Sequence, residues 1–290
     1  MNIEKWLDKN TSSLSGKTVA LTGSTGGIGR ELCIYLLKLG ASLILLDRNK
    51  SKSDDLCTLL RAEFEGAEIQ QMTLDLEDME NVKEVCEELK KEDLFALIHN
   101  SGAYSIPRHK CTTGFDNVFQ INFVSPYYMT STLMPNIQKN GGRVVIVGSI
   151  AHTYSKTDLD DIDFSKRKKA SLVYGNAKRF LMFSSFEKAE RDGYRITVTH
   201  PGITFTGITA HYPKFIFALI KHPMKVIFMK PRKACLSILA GLFVSPEHKS
   251  WIGPAFFDIW GLPKKKILKT VTKEEGERIY ETAEAILRGL

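Results

Sequence analysis

Short apolar runs recur along the chain, alternating with stretches whose apolar residues fall three and four positions apart. The runs at 18–22, 42–46, 68–74, 94–98, 143–148, 195–199 and 255–259 read as strands. The stretches near 27–39, 51–65, 79–91, 113–138, 171–192 and 233–244 read as helices. Runs such as LILL and RVVIV have no polar face, as expected of strands covered by helices on both sides. Such alternation builds right-handed βαβ units, and so an α/β fold around one doubly wound parallel sheet of about seven strands. No internal repeat or Gly/Ser linker marks a boundary, so residues 1–290 read as one domain. Near the end, LPKKKILK reads as a basic connector. TKEEGERIYETAEAIL then reads as an amphipathic helix that packs on the sheet or on a neighbour.

Composition narrows the class. Of 290 residues, 43% are hydrophobic and 25% charged, ordinary for a globular chain with a sizeable core. The first residues, MNIEKWLDKN, mix charge with apolar side chains and lack the apolar centre of a signal peptide. No apolar run is long enough to cross a bilayer. The five cysteines are scattered and show no Cys-x-x-Cys spacing, which suits reduced thiols in the cytoplasm and excludes a disulfide or zinc framework. No metal site is expected.

The chemistry starts at KTVALTGSTGGIG. An apolar run ends in Thr22, meets glycine, and opens an amphipathic helix on more glycine. Placed between a strand and a helix, Gly23, Gly27 and Gly29 allow a tight turn, a close approach to a pyrophosphate, and close helix–strand packing. Asp47 closes the second strand at the distance expected for the acid that meets the adenosine ribose.

The spacing Gly-x-x-x-Gly-x-Gly resembles that of the short-chain dehydrogenase/reductase family, and further motifs follow in the family's order. Tyr-x-x-x-Lys appears as Tyr174 to Lys178, the serine after the fifth strand as Ser149, and the asparagine of the long crossover helix as Asn122. Asn-Asn-Ala-Gly appears altered, as His99-Asn100-Ser101-Gly102. The adenine-side aspartate matches Asp75, the Pro-Gly pair Pro201-Gly202, and the nicotinamide-side threonine Thr206. The likeness runs from about Lys17 to Val244. It implies a Rossmann-type fold and a nicotinamide cofactor. Implied cofactor contacts are Gly23, Ser24, Thr25, Gly27, Ile28, Gly29, Asp47, Arg48, Asp75, Leu76, Asn100, Ser101, Gly102, Tyr174, Lys178, Pro201, Gly202, Thr204 and Thr206. Asp47 favours NAD(H) by repelling a 2′-phosphate, whereas the adjacent Arg48 would welcome NADP(H).

In this reading Tyr174 is the general acid/base, with its pKa lowered by Lys178 one helical turn on. Ser149 holds the substrate oxygen, Lys178 the nicotinamide ribose, and Asn122 a water that relays protons. Twenty-four residues separate Ser149 from Tyr174. That insert resembles the one in the retinol-dehydrogenase-like subgroup, which implies a steroid, retinoid or other lipid alcohol as substrate. Residues 203–233 would form a lid and 245–290 an extension. Within the lid, 211–233 carries six Lys and Arg and no acid among large apolar side chains. It reads as a lid first, as a peripheral membrane contact second, and as an oligomer contact third. A homodimer or tetramer is implied by the family, and nucleic acid is not a partner. A keto-group reductase of acyl or polyketide-like intermediates is the rival enzyme. A cofactor-sensing regulator is the rival outside catalysis.

Overall fold

The computed structural model describes residues 3–204 and 229–290. Its elements run α1 (Ile3–Asn10), β1 (Thr18–Thr22), α2 (Gly27–Lys38), β2 (Ser42–Asp47), α3 (Lys50–Glu63), β3 (Ile69–Thr73), α4 (Met79–Leu89) and β4 (Leu94–His99). After these come α5 (Asn117–Phe119), a π turn (Gln120–Val124), α6 (Ser125–Lys139) and β5 (Arg143–Val147). A 3-10 turn (Ile150–Thr153) precedes α7 (Ala170–Asp192), β6 (Ile196–Thr199), α8 (Pro231–Ala240), β7 (Ser250–Phe256), β8 (Trp260–Ile267) and α9 (Lys273–Arg288).

The described sheet has eight strands in the order β3-β2-β1-β4-β5-β6-β7-β8. The first seven pair in parallel, and their central members are buried almost throughout, as their unbroken apolar runs require. One side of the sheet is covered by Leu32, Leu36, Leu56, Leu60 and Leu239 from α2, α3 and α8, with Trp6 of α1 at the margin. The other side is covered by Val82, Leu133, Phe180 and Ile279 from α4, α6, α7 and α9. The order reverses between β1 and β4, so the loops leaving these neighbours part and open a crevice at the carboxyl edge.

Three expectations change. The strand placed at 255–259 is Ser250–Phe256, and 257–259 form a turn. The connector LPKKKILK is largely β8, antiparallel to β7. Its lysines hid it, because an edge strand keeps a solvent side, where lysine also discourages pairing with another chain. The long helix expected from 113 begins at Asn117, where the Asp116 carboxylate accepts from Val118 N at 3.0 Å. It then carries the π turn, an extra residue of backbone often found at functional sites. The N-terminal helix α1 buries Trp6 and Leu7 and was not anticipated. Most of the lid, including Thr206, lies outside the described residues.

Candidate active site

The glycine turn closes on itself. A Cβ on Gly29 would stand 2.1 Å from Gly23 O, so only glycine lets the first turn of α2 lie on the loop. Gly26 caps α2 with no side-chain bond, leaving its first N–H groups directed at whatever enters the crevice. Thr22 Oγ1 accepts from the N–H groups of Asn100 and Ser101 at 3.1 and 2.9 Å, and Asn100 Nδ2 donates to Gly23 O at 2.9 Å. The loops after β1 and β4 are thereby locked together. His99, in place of the family's first asparagine, is buried beside Thr130 Oγ1 at 3.0 Å. Burial lowers its pKa to about 3, so it stays neutral.

The candidate reacting groups come from α7 and the turn after β5. A Cβ on Gly175 would lie 2.3 Å from Ala151 O, so glycine lets α7 seat against the 3-10 turn and brings Tyr174 to Ser149. Ser149 caps that turn, its Oγ accepting from Ala151 N at 3.2 Å. Lys178 is 3% exposed and donates to Val147 O at 3.0 Å, with Nζ 5.8 Å from the centre of the Tyr174 ring. Asn122 sits in the π turn. Its Nδ2 donates to Ala103 O and Val118 O, both at 2.8 Å, and its Oδ1 accepts from Ala103 N at 3.2 Å. The side chain thus braces the 100–103 loop beside Lys178.

Burial dominates the electrostatics. Desolvation pushes the Tyr174 phenol up to about 12, against the lowering effect of its hydrogen bond to Ser149, and pulls Lys178 down to about 8. Desolvation outweighs the lowering of Tyr174 expected from Lys178, so the phenol lies above its ordinary value. Burial favours the neutral form of each group, so at neutral pH the phenol keeps its proton while Lys178, near 8, still carries most of its charge.

A cavity of about 560 Å³ joins these parts. Of the residues singled out in the sequence, Gly23, Gly27, Ile28, Gly29, Asn100, Ser101, Gly102, Ser149, Tyr174, Lys178, Pro201, Gly202 and Thr204 line it. Asn122 stands behind it. Ser24, Thr25, Asp47, Arg48, Asp75 and Leu76 do not line it. Asp47 is 3% exposed, and both its oxygens are engaged. Oδ2 accepts from Ser24 Oγ and from Ser53 Oγ at 3.0 Å, and Oδ1 from Thr25 N and Oγ1 at 3.2 and 3.3 Å. Arg48 points outward to Glu77 at 3.2 Å.

The cavity also takes residues that motif reading missed: Tyr104, Ile150, Ala151, Tyr154, His200 and Ile203. Tyr104 packs edge-on to Tyr174 at 5.3 Å. Behind the wall lies a buried cluster around Arg179, the residue after Lys178. Its guanidinium donates to His152 O at 2.9 Å, Thr270 O at 3.1 Å and Glu275 at 2.7 Å. His152 Nδ1 lies 2.7 Å from Ser149 O and its Nε2 2.9 Å from Thr270 Oγ1. The start of α9 is thereby tied to the serine turn. No local pattern announces such a link, since its partners lie about 90 residues apart.

The sequence profile of the short chain dehydrogenase family matches residues 17–160. The chain belongs to the short-chain dehydrogenase/reductase family. It is thus an NAD(P)-dependent oxidoreductase of the alcohol dehydrogenase/carbonyl reductase kind. This short-chain dehydrogenase is 26% identical to retinol dehydrogenase 14 of Homo sapiens, across 94% of this chain and 87% of that one. It is 28% identical to an uncharacterised oxidoreductase of Schizosaccharomyces pombe, across 89% and 81%. A crystal structure of an uncharacterised protein from Mycobacterium paratuberculosis shares the fold, with a TM-score of 0.74 at 20% identity over 97% and 96% of the two chains.

Proposed function

We propose that the protein interconverts a bulky apolar alcohol and its carbonyl form, with Tyr174 as general acid/base. The convergence of Ser149, Tyr174 and Lys178 on one cavity, beside an uncapped glycine-rich helix start, carries this reading. The nicotinamide cofactor, when bound, supplies or accepts the hydride. In reduction Tyr174 gives its proton to the carbonyl oxygen while Ser149 donates a hydrogen bond to that oxygen. In oxidation the phenolate takes the hydroxyl proton back, and a positive nicotinamide ring would lower its pKa to that end. Lys178, at about 8, supplies positive charge below that pH. Apolar side chains such as Tyr104, Ile150, Tyr154 and Ile203 in the wall favour an apolar substrate. The likeness to a retinol dehydrogenase points the same way.

The residues suit a dinucleotide, with one revision. The open N–H groups of α2 and the glycine cradle fit a pyrophosphate. Asp47 has no free lone pair for ribose hydroxyls, so only its charge, which repels a 2′-phosphate, still favours NAD(H). Arg48, 67% exposed at its side chain, can meet a 2′-phosphate, so the cleft takes NADP(H) as well.

The test is absorbance-coupled turnover with each cofactor on a panel of retinoid, steroid and aliphatic alcohols and ketones. Turnover of one bulky apolar class, lost in Tyr174→Phe with cofactor binding intact, supports the reading. Cofactor binding by the wild type without turnover of any member would favour the sensor.

A further inference from the structure

β7 runs parallel to β6, so its end at Phe256 emerges at the carboxyl edge, where the cavity opens. The chain reverses there and returns as β8. Ile259 N donates to Phe256 O at 3.0 Å, and Phe257 and Asp258 between them have φ of 52° and 57°. This is a hairpin turn whose central positions ordinarily go to Asn, Asp or Gly. A bulky side chain with positive φ is sterically disfavoured. The Phe257 ring is nevertheless 81% exposed, with Phe256 at 59% and Trp260 at 44%. Three exposed aromatic rings thus crown one turn, and the turn is fastened to the cavity rim. His200 Nε2 lies 3.1 Å from Asp258 O, and a Cβ on Gly202 would stand 2.6 Å from Ile259 O.

Positive charge is concentrated in the stretch of chain that contains this hairpin. Residues 229–273 hold nine Lys and Arg and two acids, whereas the rest of the chain holds 31 of each sign. The net charge of +7 therefore belongs to this stretch. Its two acids are already paired, Glu247 with Lys265 at 2.6 Å and Asp258 with Lys266 at 2.7 Å. Lys230 and Lys233 are exposed where the chain enters α8, just after Met229 N bonds to Ile203 O on the rim at 3.0 Å.

We propose that the β7–β8 tip docks the protein on an anionic membrane surface. Phe256, Phe257 and Trp260 seat at the headgroup level, and the exposed Lys230 and Lys233 beside the rim meet the lipid charge. Aromatic rings with cations beside them suit that boundary, where an apolar surface meets negative headgroups. A second copy of this chain fits less well, because pairing the tips would set two like-charged stretches together. No helix among the described residues is long and apolar enough to cross a membrane, so the contact is peripheral. Docked this way, the cavity mouth lies near the bilayer, where a lipid alcohol dissolves.

Trp260 supplies the readout, since the other tryptophans, Trp6 and Trp251, are 4% and 2% exposed. The full chain is mixed with phosphatidylcholine vesicles, with and without phosphatidylserine, and followed by tryptophan emission and co-sedimentation. The expected result is a blue shift and co-sedimentation with anionic vesicles only, both reversed by salt. Phe257→Gly should weaken vesicle binding about tenfold or more while raising thermal stability, because glycine accepts the positive φ. A merely structural phenylalanine would not separate the two effects. Trp260→Ser should weaken co-sedimentation similarly, with cofactor binding as the control for folding. Three outcomes overturn the proposal: no response to anionic vesicles, binding that Phe257→Gly leaves unchanged, or burial of Trp260 that follows protein concentration without lipid. None of these readouts needs turnover, so their failure is distinct from failure of the proposed reaction.

Discussion

At the Ser149 end of the cleft the reacting groups are placed by buried neighbours, whereas at the Asp47 end the contact that faces a ligand lies at the surface. Lys178 is anchored on Val147 O, Asn122 on the 100–103 loop, and the serine turn on His152 and Arg179. At the other end the buried carboxylate of Asp47 is spent on Ser24, Thr25 and Ser53, and Arg48 is left to an exposed pairing with Glu77. Buried bonds lose much when one partner is removed, and exposed pairs lose little. The Ser149 end is therefore built in, while in the proposed function cofactor preference would rest on weak contacts that single substitutions can tip.

The largest effects should fall at the first end. Tyr174→Phe should lower kcat about 10³-fold and leave the cofactor Kd nearly unchanged by fluorescence titration; a matching rise in Kd would show that the ring mainly shapes the pocket. Ser149→Ala should cost about 10²-fold in kcat. Arg179→Leu, which strands Glu275 and frees the turn, should lower unfolding stability by about 3 kcal/mol, measured by denaturant titration. A loss no larger than that of a surface substitution would mean that α9 holds the turn without this cluster.

Acidity sharpens the contrast. Burial holds Lys178 near 8 and Tyr174 near 12. Raising the pH through about 8 discharges Lys178 while Tyr174 keeps its proton, so kcat/KM for reduction should be flat below 8 and fall above it. A limb appearing only near 12 would assign it to Tyr174.

The smallest effects should come from the adenosine end. Arg48→Ala should weaken NADP(H) about tenfold and spare NAD(H), as loss of one charge-assisted contact implies. Glu77→Gln should release Arg48 and favour NADP(H) two- to fivefold, roughly the worth of an exposed pair. Competition between the two cofactors reads both. If NADP(H) binding ignores both changes, Arg48 is only a solvated side chain.

Much of the site could be read from the chain, because short-range rules place it. A strand that stops on glycine before a helix puts the glycine loop at the sheet's carboxyl edge. Residues i and i+4 put Tyr174 and Lys178 on one helix face. The position of Asp47 at the end of β2 was legible, whereas its bonds to Ser24, Thr25 and Ser53 were not. Its spacing from the glycines can be counted along the chain, but that Ser24, Thr25 and Ser53 all turn onto its carboxylate is a feature of packing. β8 was misread for the complementary reason, since an edge strand full of lysine has no pattern apart from the strand it pairs with.

The sequence by itself determined the layered α/β order, the glycine cradle and the Ser149, Tyr174 and Lys178 set, because hydrophobic period and helical spacing are properties of neighbouring residues. Only the tertiary structure decided which charges are free. Burial raises Tyr174 despite the nearby Lys178, and Asp47 is closed on Ser24, Thr25 and Ser53. Folding also ties α9 to the serine turn and leaves three aromatic rings in solvent at the cavity rim. Desolvation and hydrogen-bond saturation depend on atoms brought from distant parts of the chain, and no window of sequence contains them.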